Sequence, residues 1–404
     1  MEPEFPTPAP GVRQDDANPA LSPSPTVSLE TAASDTQPDT PHPDNLTWLF
    51  LGPNGLRAGT SVALFAILLY TLAAFFGTIL SFVVEGLLNR TLTSGTATGM
   101  VLGEAPWVAA LATSAAIMAL LDHRRLLDYN LAGRHRFSHF ISGLAAGFLA
   151  LSSLVGVMAW GGWLHFGQVS LHGQAVGKYA VLWAVGFLFV GLTEEGTFRC
   201  YLQFTLTRGI NFWWALATIA AVCLDLLIRS KGHGVWGIYA FALLGLFPCL
   251  WLHLKNTPRS GFWHAAWLGS TLFGFVHTFN DGENWIGIFA AAAIGFVFCV
   301  SVRVTGAAWW AIGCHSAWDW AETYFYGTPD SGYVSKGHFL ATSVTGSTLW
   351  SGGTDGPEGS LLVLPIILLL LAAVLAFYGR QRRAHDLSAI LKSTSLSPSV
   401  GHAK

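Results

Sequence analysis

Long apolar runs broken by short polar connections dominate the chain from about residue 58 onward. Crossing the hydrocarbon as a helix takes about 20 mostly apolar residues, and ten stretches meet that description: 60–84, 100–121, 138–162, 178–199, 210–228, 235–254, 261–279, 285–304, 306–326 and 361–379. The pattern predicts an all-α fold, a polytopic transmembrane bundle of eight to ten spanning helices. No heptad or solenoid period runs through it. Before the first run, residues 1–50 read differently: the first 45 hold ten of the 18 prolines and eight Asp/Glu against the single Arg13. Such a segment has too little apolar surface to offset the entropy of ordering, so an acidic, disordered tail is expected there. A short polar tail is expected over 381–404, leaving 58–380 as the membrane domain.

Composition strengthens this reading. The 404 residues are 52% hydrophobic and only 11% charged, against roughly a quarter charged in soluble domains. Lipid is the expected main partner, and nothing suggests nucleic acid. The tail has no apolar run with a small-residue cleavage site, so the first helix is expected to direct insertion itself. Lys and Arg gather in loops on the cytoplasmic side. The most basic loop (Arg124, Arg125, Arg134, Arg136) sets that side, which puts both termini in the cytoplasm and the 327–360 loop opposite; Arg229 and Lys231 run against this count. A multi-pass protein of a bacterial inner membrane is the expectation. The five cysteines are scattered singly through apolar segments and read as buried hydrophobes.

Ionisable side chains inside spanning helices are costly, about 2.5–3.5 kcal/mol each on insertion scales, and are functional candidates by default. Three stretches stand out. In Thr193-Glu194-Glu195-Gly196-Thr197-Phe198-Arg199, Glu195 and Arg199 are i,i+4 neighbours able to neutralise each other. Glu194 points about 100° away, free to take a proton from water. In Phe273-Gly274-Phe275-Val276-His277, Phe273 lies one turn before His277 and can wall its ring. In His315-Ser316-Ala317-Trp318-Asp319, His and Asp share one helix face, a spacing that lets both reach a single water, metal or partner group. Taken singly, each has a plainer reading: an ion-pair cluster at a helix end, a hydrogen-bonded core histidine, an Asp that orients its own His for packing.

The ordered set Glu-Glu-x-x-x-Arg, Phe-x-x-x-His, His-x-x-x-Asp, each on an apolar helix, resembles the CPBP (CAAX-protease and bacteriocin-processing) family of intramembrane proteases. The resemblance covers about 100–380. It implies an endopeptidase acting on membrane-associated or lipidated peptides or proteins. In that pattern Glu194 matches the acid that activates water, Glu195 and Arg199 its supporting pair, and His277, His315 and Asp319 the second and third motifs. It also leaves two cofactor readings open. One is a divalent metal, zinc by preference, held by Glu194, His277, His315 and Asp319; the other is a metal-free glutamate mechanism. There is no His-Glu-x-x-His.

Two departures from the family pattern stand out. His277 lies 83 residues beyond Glu194, a longer spacing than the family's by about two crossings, which predicts an inserted helical hairpin at about 210–258. Asp319 stands where the family more often has Asn; ionised, it can only accept hydrogen bonds, which suits a His-orienting or ligand role. Straight helices with the bounds above leave Glu194 near the end of its segment and His277 towards the far side, so a kink at Gly191 or Gly196, or a shifted boundary, has to bring them together. The resemblance further implies a site in the inner half of the membrane, open to the cytoplasm. Against the protease stand a proton- or ion-coupled transporter and a non-catalytic scaffold. The motif residues lie between 194 and 319, without the paired repeats of broken helices expected of transporters.

Overall fold

The computed structural model describes residues 50–52, 55–89, 91, 93–231, 235–257, 260–280 and 282–395, with side chains except at 235, 236, 240, 241 and 380–395. The expected acidic tail lies outside the described residues. All ten expected spans are helices: α1 (Ala58–Ser81), α2 (Ala97–Leu121), α3 (Arg136–Trp160), α4 (Gln174–Glu195), α5 (Phe212–Ser230), α6 (Val235–Leu254), α7 (Gly261–His277), α8 (Trp285–Thr305), α9 (Trp309–Asp319) and α10 (Val363–Ser395). Seven helical stretches among the described residues are long and apolar enough to cross a membrane, and Val363–Gly379 is a shorter apolar one. The chain is a polytopic helical bundle and an integral, multi-pass membrane protein.

Three helices continue into a wider π turn: α1 over Phe82–Leu87, α4 over Gly196–Leu202 and α9 over Trp320–Tyr326. For α4 this moves the expected boundary. The helix passes through the π turn into Gln203–Gly209, and together they form a continuous run, Gln174–Gly209. Apolar patterning stops at Leu192 because Thr, Glu, Arg and Gln follow, yet Arg199 and Gln203 are as buried as core residues. They are satisfied from inside the protein: Gln203 Nε2 donates to the Phe262 carbonyl at 3.2 Å and Cys299 Sγ lies 3.4 Å from Gln203 Oε1.

Helix α9 is clamped between α3 and α4 at glycines. A Cβ on Gly143 or Gly147 of α3 would strike the Trp310 or Cys314 carbonyl. One on Gly313 of α9 would strike the Phe140 carbonyl, and one on Gly191 of α4 would meet the Ser316 hydroxyl. Small residues let lipid-embedded helices approach backbone to backbone, where dispersion replaces the missing hydrophobic drive. Around this contact lies the largest apolar cluster, with Leu151, Leu154, Val297, Phe298, Trp310 and Cys314 buried together. The 327–360 segment, expected as a loop, carries a short strand, β2 (Leu340–Val344). It pairs antiparallel with β1 (Leu164–Val169), the strand that follows α3.

Candidate active site

The continuous run of α4 resolves the depth problem of the straight-helix picture. With Gly209 rather than Arg199 as its end, Glu194 sits about 22 Å from that end at 1.5 Å per residue. His277 closes the 17-residue α7, whose first residue, Gly261, lies against the Thr207 carbonyl. Both helices therefore climb from one level. Glu194, His277, His315 and Asp319 line a single cavity of ≈ 270 Å³.

Glu195 and Arg199 stand behind its wall, 0% and 1% exposed. Arg199 Nη1 donates to Glu195 Oε1 at 3.1 Å. The same oxygen lies 2.9 Å from His315 Nδ1, so one carboxylate oxygen ties the first motif to the third across 120 residues of chain. The guanidinium lies over the rings of Phe273 at 4.1 Å and Phe298 at 5.3 Å, stacking that a lysine could not reproduce. Asn130 Nδ2 donates to the Arg199 carbonyl at 2.8 Å, and so satisfies a backbone group where the π turn disturbs the helical ladder.

His315 projects Nε2 towards the cavity, 3.5 Å from Asp319 Oδ2 and 3.8 Å from Glu194 Oε2. Its ring stacks on Phe298, centroids 5.9 Å apart. His277 Nδ1 lies 2.8 Å from the Phe273 carbonyl; that contact requires Nδ1 to carry the proton and leaves Nε2 as the lone-pair nitrogen. The Phe273 ring walls His277, centroids 4.7 Å apart. Glu194 is 35% exposed, and its Oε2 makes no hydrogen bond. Among the described residues no three His, Cys, Asp or Glu side chains converge closely enough to hold a metal ion. The donor types suit zinc, but their placement does not gather them.

The cavity also contains groups that the motifs do not predict: Glu104 of α2, and Asp330 and Glu358 of the 327–360 segment. Ionisable residues at the site are thus not confined to 194–319. Glu104 left a signal in the sequence, a lone acid within an apolar run. The two loop acids left none, since acids in a Gly-rich loop read as solvated. Their position bears on orientation. The cavity reaches the end of the bundle where α7 finishes and the 327–360 segment folds back. The basic 124–136 loop sits at the other end, where Ala308 N donates to the Asn130 carbonyl and Trp309 Nε1 to that of Leu131. A site opening beside the basic loop and a far-side 327–360 segment therefore do not hold together.

No curated protein and no solved structure matches the chain. Residues 249–321 match the family described as type II CAAX prenyl endopeptidase Rce1-like. The match spans α7 to α9, the helices that carry the second and third motifs. Over these residues the chain is similar to CAAX-type prenyl endopeptidases.

Proposed function

We propose that this endopeptidase hydrolyses a peptide bond of a membrane-associated or lipidated substrate with water activated by Glu194. The single observation that supports this reading is the convergence of three distant motifs on one cavity. Water held between Glu194 and His277 Nε2 gives up a proton to the Glu194 carboxylate as its oxygen attacks the scissile carbonyl. That proton then passes from Glu194 to the leaving amine, so one group serves as base and later as acid. His315, ringed by Glu195, Asp319 and Glu194, matches an imidazolium in charge. In that form its Nε2–H faces the oxygen that becomes negative in the tetrahedral intermediate. Asp319 orients the ring and Glu195 accepts its Nδ1–H. The candidate donors do not converge among the described residues, and in this reading Glu194 and His277 activate the water themselves.

The test uses purified protein in detergent or proteoliposomes with farnesyl-cysteine CaaX peptides and an unprenylated peptide panel. Glu194→Gln and His277→Ala are expected to lower cleavage by about 10²–10⁴-fold while keeping the wild-type unfolding midpoint. Wild-type protein that cleaves nothing in either panel yet moves protons or cations across liposomes would replace this reading with the transporter.

A further inference from the structure

At one end the cavity is walled by two carboxyl groups that the proposed mechanism does not use, Asp330 and Glu358. Glu104 also lines the cavity, and no Lys or Arg does so among the described residues. Behind them Glu322 and Asp355 are 0% exposed. Trp318 Nε1 donates to Glu322 Oε2 at 3.1 Å, and the Asn284 amide donates to Asp355 Oδ2 at 3.1 Å. The other oxygen of each, Glu322 Oε1 and Asp355 Oδ1, is buried without a hydrogen-bond partner. Glu322 Oε1 faces Gly356, where an added Cβ would come within 3.3 Å of it, two residues from Glu358. Burial pushes the Asp330 carboxyl above the ordinary range despite the hydrogen bond that Thr323 Oγ1 donates to it at 2.7 Å; burial, then repulsion from Asp330, pushes that of Glu358 up, and burial, then repulsion from Glu283, pushes that of Asp355 to about 8.

Buried acceptors without donors are destabilising, and several carboxyls facing one space raise that penalty unless a cation or protons offset it. Metal coordination requires oxygens drawn in to about 2.3–2.6 Å for calcium, and no three of these side chains converge to that degree. The oxygens are spread along a wall. An ammonium or guanidinium group on a flexible stem spans such a spread, offering several N–H donors to separate carboxylates.

We infer that this end of the cavity is a subsite for a cationic Lys or Arg side chain of the peptide substrate, close to the bond that the Glu194-activated water attacks, with Asp330 and Glu358 as its first contacts. Its biological sense rests on the peptidase reading, but its occupancy can be measured without hydrolysis. The probe is n-butylguanidinium, with uncharged n-butylurea as its isostere, titrated against thermal unfolding of the full chain in detergent. The guanidinium is expected to raise the midpoint saturably and the urea to leave it in place. In Asp330→Asn/Glu358→Gln the apparent affinity for the guanidinium is expected to fall at least tenfold. Equal responses to the two probes on wild type would overturn the assignment, a comparison that stands even where the double variant does not fold. Saturable protection by calcium ions in place of the guanidinium would overturn it too, as a metal site. The second arm compares cleavage of peptides carrying Lys or norleucine beside the scissile bond, with kcat/KM expected at least tenfold higher for Lys. Guanidinium binding without cleavage of any peptide would sink the peptidase and keep the subsite; equal cleavage of both peptides without guanidinium binding would do the reverse.

Discussion

Removing the Glu195 carboxylate separates what holds the site together from what makes it react. Arg199 is 1% exposed, and its Nε and Nη2 already lack hydrogen-bond partners; its 3.1 Å bond to Glu195 is the ion pair that offsets its burial. Glu195→Ala leaves that charge uncompensated. The expected loss is about 3–5 kcal/mol, the usual result of breaking one side of a buried pair, or a midpoint lower by on the order of 10 °C. The cation–π contacts with Phe273 and Phe298 keep the loss from running higher. Removing both charges, as in Glu195→Leu/Arg199→Met, replaces the pair with apolar volume and is expected to restore the midpoint to within about 1–2 kcal/mol of wild type. Activity behaves differently. His315 Nδ1 loses its 2.9 Å partner in both variants, so cleavage of the farnesyl-cysteine peptides stays low in the double variant although its stability recovers. Thermal unfolding and initial rates measured on the same three preparations decide the matter. A single variant as stable as wild type, or a double variant that cleaves normally, would refute the account of Glu195 as the joint between the two motifs.

Stability is expected to fall as pH rises. Asp355, faced by Glu283 and Asp330 and held by the Asn284 amide, is buried with its carboxyl pushed from the ordinary 3.8 to about 8. The folded state therefore keeps a proton that the unfolded state releases. That contribution is intact below about pH 4 and is lost as pH climbs to about 8, a change of up to a few kcal/mol. An unfolding midpoint that does not fall between pH 5 and 9, or that falls equally in Asp355→Asn, contradicts this. Gly147→Ala drives a Cβ into the Cys314 carbonyl and is expected to lower stability by about 1–3 kcal/mol; an unchanged midpoint would show that the α3–α9 contact is looser than described. Because no three metal-ligating side chains converge among the described residues, peptidase activity is expected to survive dialysis against EDTA and 1,10-phenanthroline. Loss of activity that zinc alone restores would place the metal in the reaction.

Much of this architecture was legible because lipid imposes a harsh rule on the chain. Every backbone polar group in hydrocarbon must be satisfied internally, so ten apolar runs of near-spanning length could only be helices. The rule fails where protein replaces lipid as the neighbour. Residues 196–209 look too polar to span, yet Arg199 and Gln203 are buried by partners on distant helices, and no local pattern announces those partners. The motif residues could be picked out because charge is rare in apolar runs. Glu104 carries the same signal more faintly, without a neighbour to form a pattern. Asp330 and Glu358 could not be found in this way: their proximity to His315 is a product of how the 327–360 segment folds back, which spacing does not encode. The β1–β2 pairing joins residues about 175 apart in the chain, beyond the reach of any local pattern.

The meeting of Gly261 with the Thr207 carbonyl has a topological consequence. The chain leaves the α4 run and enters α7 at one point in space, so α5 and α6, packed against α7 and α8, form a closed detour. Among the described residues none from that detour forms part of the cavity's lining, although Arg229 near its tip reaches Thr278, just past α7, at 2.8 Å. A closed excursion can lengthen, shorten or change its lipid-facing residues without altering the direction in which α7 enters. The long stretch between the first and second motifs thus leaves the chemistry-bearing helices where a shorter chain would put them.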